Sequence, residues 1–85
     1  MVNNTKINMT DKTTLKIAEA VSKSAPRYIE DADLLISQIV RDLNLKSEAE
    51  LSFCEQMVNN AITCLRGGHV QDSAAWNLAR FKKVY

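Results

Sequence analysis

The longest regular apolar pattern in the chain runs from Pro26 to Asn44. Its apolar residues recur at alternating spacings of three and four, which places them along one side of an α-helix. No other segment has so many large apolar residues in so regular a period. We therefore expect one helix over this segment, begun at Ser24 or Ala25, with the rest of the chain packed on it. The stripe consists of Ile29, Ala32, Ile36, Ile39 and Leu43, widened by Tyr28, Leu35 and Val40.

A shorter helix is predicted before it, over roughly Lys12 to Ser24. Asp11 or Thr10 can cap its amino terminus, because a short polar side chain accepts a hydrogen bond from an otherwise unpaired backbone N–H. Pro26 ends it, since proline has no N–H and steers the residue before it away from helical backbone angles. Residues 1–10 are polar and show no period. We expect a flexible N-terminal arm (1–10) followed by a single helical domain (11–85).

Two further helices are predicted after Asn44, a residue that readily adopts the left-handed backbone of a helix end. Ser47 and Glu50 have the spacing of a capping box, which starts the third helix. Gly67 and Gly68 end it, and Asp72 or Ser73 can cap the last one. The link between the second and third helices is very short, which favours an antiparallel pair. The sequence thus predicts an all-α fold, a three- or four-helix bundle with a central antiparallel helical hairpin.

The length of 85 residues leaves room for one domain, which as a monomer would be only marginally stable. We therefore expect a homodimer, formed through Ile36, Ile39 and Leu43 or through the face from Trp76 to Tyr85. The formal net charge of +1 does not mark the whole chain as a polyanion binder. No apolar run approaches the ~20 residues that span a membrane, and the amino terminus lacks a signal-peptide pattern. A cytoplasmic location is predicted.

Two cysteines and the single histidine are the residues that could suggest a nucleophile or a metal site. Cys64 and His69 could pair as nucleophile and base, but Cys64 falls in the apolar period of its helix. Cys54, Cys64 and His69 also lack the close spacing that zinc ligands usually have. We therefore predict two structural cysteines that stay reduced, and no catalytic, cofactor-binding or metal-binding residue. The protein is not expected to be an enzyme.

The last helix has basic and aromatic residues interleaved, a composition suited to binding. The candidate partner-binding residues are Trp76, Arg80, Phe81, Lys82, Lys83 and Tyr85. Such a cluster could contact nucleic-acid phosphates. Cations also favour helix carboxyl termini for electrostatic reasons alone, and the aromatic residues could belong to a core or a dimer contact.

These patterns favour a small protein that binds other proteins or a second copy of itself. An adaptor, inhibitor, chaperone or regulatory subunit fits, because regular apolar stripes on so short a chain suggest more apolar surface than one copy can hide. The alternative is a small DNA-binding transcriptional regulator that uses the last two helices as a helix-turn-helix.

Overall fold

A computed structural model describes the backbone of residues 11–84 and the side chains of residues 12–80. All regular structure in this range is helical, which confirms the predicted all-α bundle with four α-helices. The predicted arm, residues 1–10, lies outside the described residues. No described helix is both long and apolar enough to cross a membrane. The elements are α1 (Asp11–Ser24), a 3-10 helix (Ala25–Tyr28), α2 (Ala32–Leu43), α3 (Glu48–Gly67), a second 3-10 helix (Val70–Asp72) and α4 (Ala74–Val84).

The helices α1 and α3 form the centre of the bundle, because each of them contacts the other three α-helices. In the described residues α2 packs on α1 and α3 without touching α4. The expectation that the whole chain packs on the segment from Pro26 to Asn44 is therefore wrong. The physical reason is length: α3 has 20 residues against 12 for α2, so α3 offers more surface to its neighbours. Its buried residues are Cys54, Met57, Val58, Ala61, Ile62 and Cys64.

The start of α2 also differs from the prediction. Pro26 lies in the first turn of the short 3-10 helix and does not begin α2. The chain then turns, and Asp31 caps α2 by accepting a hydrogen bond of 3.1 Å from the N–H of Leu34. The carboxylate of Asp31 thus acts as the cap of α2. A 3-10 helix that contains Pro26 and a new cap at Asp31 thus separate α1 from α2.

The carboxyl ends of α2 and α3 have the same construction. Asn44 (φ 57°) and Gly68 (φ 79°) are the two residues with left-handed backbone in the described chain. After α2, the N–H of Leu45 donates to Val40 O at 3.0 Å, and after α3 the N–H of His69 donates to Cys64 O at 3.0 Å. These hydrogen bonds are typical of the Schellman motif, which satisfies carbonyl groups that the helix leaves unpaired. Both predicted helix ends are confirmed.

The two adjacent glycines should respond to alanine in opposite ways. Gly68→Ala places a Cβ in left-handed backbone and should lower the free energy of unfolding by about 1 kcal/mol. Gly67→Ala removes a flexible residue from the last turn of α3 and should raise it by up to about 1 kcal/mol. The new Cβ at position 67 would lie 2.5 Å from Nε2 of His69, but that imidazole is exposed and can swing away. Urea denaturation of both variants measures the difference, and equal effects would contradict the assigned backbone of Gly68.

The amino end of α3 contains the predicted capping box. The Ser47 hydroxyl accepts from the N–H of Glu50 at 3.1 Å, and Glu50 Oε1 accepts from the N–H of Ser47 at 3.2 Å. The N–H of Lys46 donates to the same oxygen at 3.0 Å. These backbone hydrogen bonds, that of Lys46 first, lower the pKa of Glu50 because they favour its charged form. The short link of α2 to α3 is thereby held by the cap, which supports the antiparallel hairpin.

Candidate interaction cleft

The start of α4 is fixed by two polar side chains. The hydroxyl of Ser73 accepts a hydrogen bond of 3.3 Å from the N–H of Trp76, so Ser73 is the cap among the two predicted candidates. The side chain of Asn60, on α3, accepts from the N–H of Ala74 at 2.9 Å. Ser73 is fully buried. Because α3 itself supplies one of these acceptors, the first turn of α4 is held in a defined position on α3.

In the first turn of α4, Ala75 lies in the core and Trp76 lies partly at the surface. Ala75 is 0 % exposed and belongs to the core, where its small side chain lets the helix backbone come close to its neighbours. Trp76 is partly buried and packs against the same core with part of its surface. The rest of Trp76 faces a depression between α1 and α4, so one aromatic side chain joins core and surface.

This depression, called here the α1–α4 cleft, has a volume of about 450 Å³. Helix α1 forms one wall, and the second 3-10 helix and α4 form the other. Since α1 and α4 are far apart in sequence, only their packing creates the cleft. The lining residues are Glu19, Ser22, Lys23, Gln71, Trp76, Ala79 and Arg80.

The charged side chains of the cleft are unequal in sign. Among the described residues that line the cleft, Lys23 and Arg80 are exposed cations on opposite walls, and Glu19 is the one carboxylate. The guanidinium of Arg80 donates to Asn77 Oδ1 at 2.9 Å, which leaves its other N–H groups for a ligand because guanidinium has five donors. Within the described residues Lys23 has no ion-pair partner. The indole ring of Trp76 can pack against an apolar side chain of a partner. The cations of Lys23 and Arg80 can fix the orientation of that partner.

The structure brings two of the predicted binding residues to this cleft, Trp76 and Arg80. The side chains of Phe81, Lys82 and Lys83, together with Tyr85, lie outside the described residues. The sequence pattern does not single out Lys23, because the interleaved basic and aromatic residues that indicate binding lie in the last helix alone. No local signal in the sequence pairs α1 with α4. The small buried residues of both helices, such as Ala18 and Ala75, are the pattern that could have suggested their close packing.

The cysteines lie away from this cleft, within the packing of α3. Cys54 is 0 % and Cys64 7 % exposed, and both are free thiols. Burial, with a smaller contribution from the charge of Glu55, raises the pKa of Cys54 to about 11, which keeps this thiol protonated and a poor nucleophile. The exposed ring of His69 lies beside Gly67. Within the described residues, no three potential ligands gather at a place that could hold a metal ion.

Comparisons with known proteins give no further guide to function. The chain matches no known protein family, no curated protein and no solved structure at a significant level. The function is therefore inferred from the side chains of the α1–α4 cleft and their packing.

Proposed function

We propose that this chain is a small, non-enzymatic interaction protein of the cytoplasm that binds another protein through the α1–α4 cleft. The observation that carries the proposal is the placement of Trp76. It is anchored in the core on one side and lines an open cleft on the other. Tryptophan and arginine are the residue types that most often dominate the energy of protein interfaces, and the cleft contains both.

The rest of the described surface offers few apolar anchors. Leu34, on α2, is the one large hydrophobic residue that is strongly exposed, at 50 %. A single exposed leucine is ordinary for a protein surface. The expected surplus of apolar surface is therefore small in the described residues. A local anchor such as Trp76 supports binding better than a broad apolar face does.

We also propose the predicted homodimer, but burial within the single chain limits which surface can form it. Ile39 is only 3 % exposed in the single chain, so it already belongs to the core and has almost no area left for a second copy. Ile36 and Leu43 also pack partly on that core. A dimer that forms near Trp76 is compatible with the burial. Light scattering over a concentration series measures the mass, and a strict monomer at high micromolar concentration would overturn the dimer but not the proposed protein partner.

The function is tested by comparing three tagged baits in an extract of the source organism: the unaltered chain, Trp76→Ala and Leu34→Ala. Retained proteins are quantified by mass spectrometry. We expect at least one protein to bind the unaltered chain and Leu34→Ala and to be lost from Trp76→Ala. With that partner purified, Trp76→Ala should weaken the affinity by about 30-fold or more.

Because Trp76 is partly buried, the melting temperature of each bait is measured first. Arg80→Ala, which removes only an exposed side chain, serves as a second variant of the cleft and should also lower recovery. Partners that bind both folded cleft variants as well as the unaltered chain would overturn the cleft as the binding site. The absence of any bound protein would overturn the interaction function itself.

A further inference from the structure

The small net charge of the chain hides an uneven distribution of charge among its helices. Helices α1 and α4, which pack together, carry more basic than acidic residues in sequence: Lys12, Lys16, Lys23, Arg80, Lys82 and Lys83 against Asp11 and Glu19. The segment from the first 3-10 helix to the end of α3 is acidic. It carries Glu30, Asp31, Asp33, Asp42, Glu48, Glu50 and Glu55 against Arg27, Arg41, Lys46 and Arg66. Among the described residues α2 has no contact with α4, and no residue of α2 lines the α1–α4 cleft.

The basic side extends from the cleft across the outer face of α1. A second, shallower groove lies on the other flank of this helix, where Lys16 and Lys23 face Leu43 of α2. Glu19 and Lys23 line both grooves. A ligand that lies in the α1–α4 cleft therefore meets cations on both walls of the cleft and another cation beyond its rim. Complementary charge guides the choice of partner and its approach.

We infer that the α1–α4 cleft binds an acidic peptide segment of its partner, with one large apolar side chain against Trp76 and carboxylates opposite Lys23 and Arg80. This inference rests on the proposed function and narrows it to one chemical class of partner. The apolar side chain is expected because the partly buried ring of Trp76 offers an apolar surface. The carboxylates are expected because they pair with lysine and with the forked guanidinium of arginine.

The test begins with a random peptide library displayed on phage and selected on the unaltered chain. Selection is repeated on the double variant Lys23→Glu/Arg80→Glu and on a control, Arg27→Glu/Lys46→Glu, which has the same net charge but changes exposed side chains outside the cleft. At physiological salt such distant charges are largely screened. We expect the unaltered chain and the control to enrich peptides that combine aspartate or glutamate with a leucine or an aromatic residue, and the cleft variant to lose them.

Binding of an enriched peptide without tryptophan is then followed by the fluorescence of Trp76, the single tryptophan of the chain. The cleft variant should bind at least about tenfold more weakly than the control, since two attractions become repulsions. Both double variants are first checked for a cooperative thermal transition, and Lys23→Ala/Arg80→Ala replaces the charge reversal if it unfolds.

Three results would overturn the inference. If the enriched peptides are neutral or basic and still depend on Trp76, the inference of an acidic partner is wrong, while the proposed function stands. The absence of any peptide that depends on the cleft would count against both proposals. An affinity for duplex DNA below the micromolar range that falls steeply with salt, as release of counterions requires, would replace a peptide partner with nucleic acid.

Discussion

Leu35→Ala is expected to lower the free energy of unfolding by about 2–5 kcal/mol. Leu35 is 1 % exposed and is one of the largest fully buried side chains, and it fixes α2 to the rest of the core. Removing its isobutyl group loses contacts and leaves a cavity that the neighbouring helices fill only in part. A domain of this length has about 4–13 kcal/mol of total stability, so the loss is a large share. Urea denaturation followed by far-UV circular dichroism measures it.

Leu34→Ala is the matched control. It removes the same side chain from the neighbouring position of α2, which is exposed. Leu34 is 50 % exposed, so its truncation should change the free energy of unfolding by less than about 0.5 kcal/mol. Similar losses for the two variants would show that α2 does not present Leu35 to the core.

Val58→Asp should prevent the chain from folding. Val58 lies in α3 and is 0 % exposed, at the centre of a bundle in which α3 contacts every other α-helix. A buried carboxylate there would have no partner, and the cost of its desolvation, more than about 4 kcal/mol, approaches the whole stability of the domain. The variant is expected to lack a cooperative thermal transition and to be degraded quickly by added protease.

Asn59→Asp places the same charge one residue further along α3, where the side chain is exposed. It should fold with nearly unchanged stability. The comparison separates the effect of burial from that of charge on the same helix. If Val58→Asp folded as well as Asn59→Asp, the burial of Val58 in α3 would be contradicted, and with it the packing described above.

Local signals in the sequence predicted local structure well. The capping box of Ser47 and Glu50, the left-handed end at Asn44 and the glycine end of α3 were all found where the sequence placed them. Each of these signals acts within a few residues, so its physical cause is contained in the local sequence. The start of α2 was placed too early because an apolar period continues through a turn as readily as through a helix. Only the cap at Asp31 marks the boundary.

The candidate site was predictable only in part, since it is built from segments distant in sequence. Composition singles out Trp76 and Arg80, because basic and aromatic residues are interleaved in the last helix. Lys23 lines the cleft because α1 packs on α4. This packing depends on small buried residues and not on a short sequence motif. The packing of α1 on α4 also brings the basic residues of these two helices together. The small net charge of the whole chain gives no sign of this.

The most direct test of the α1–α4 cleft is site-specific photo-crosslinking in an extract of the source organism. The photoreactive residue benzoylphenylalanine replaces Gln71, an exposed residue that lines the cleft, or Leu34 on α2 as the control. We predict a protein adduct from position 71 that excess unlabelled chain abolishes and excess Trp76→Ala does not, and no such adduct from position 34. An adduct formed from position 34 alone, or one that folded Trp76→Ala competes away as well as the unaltered chain does, would contradict the cleft as the binding site.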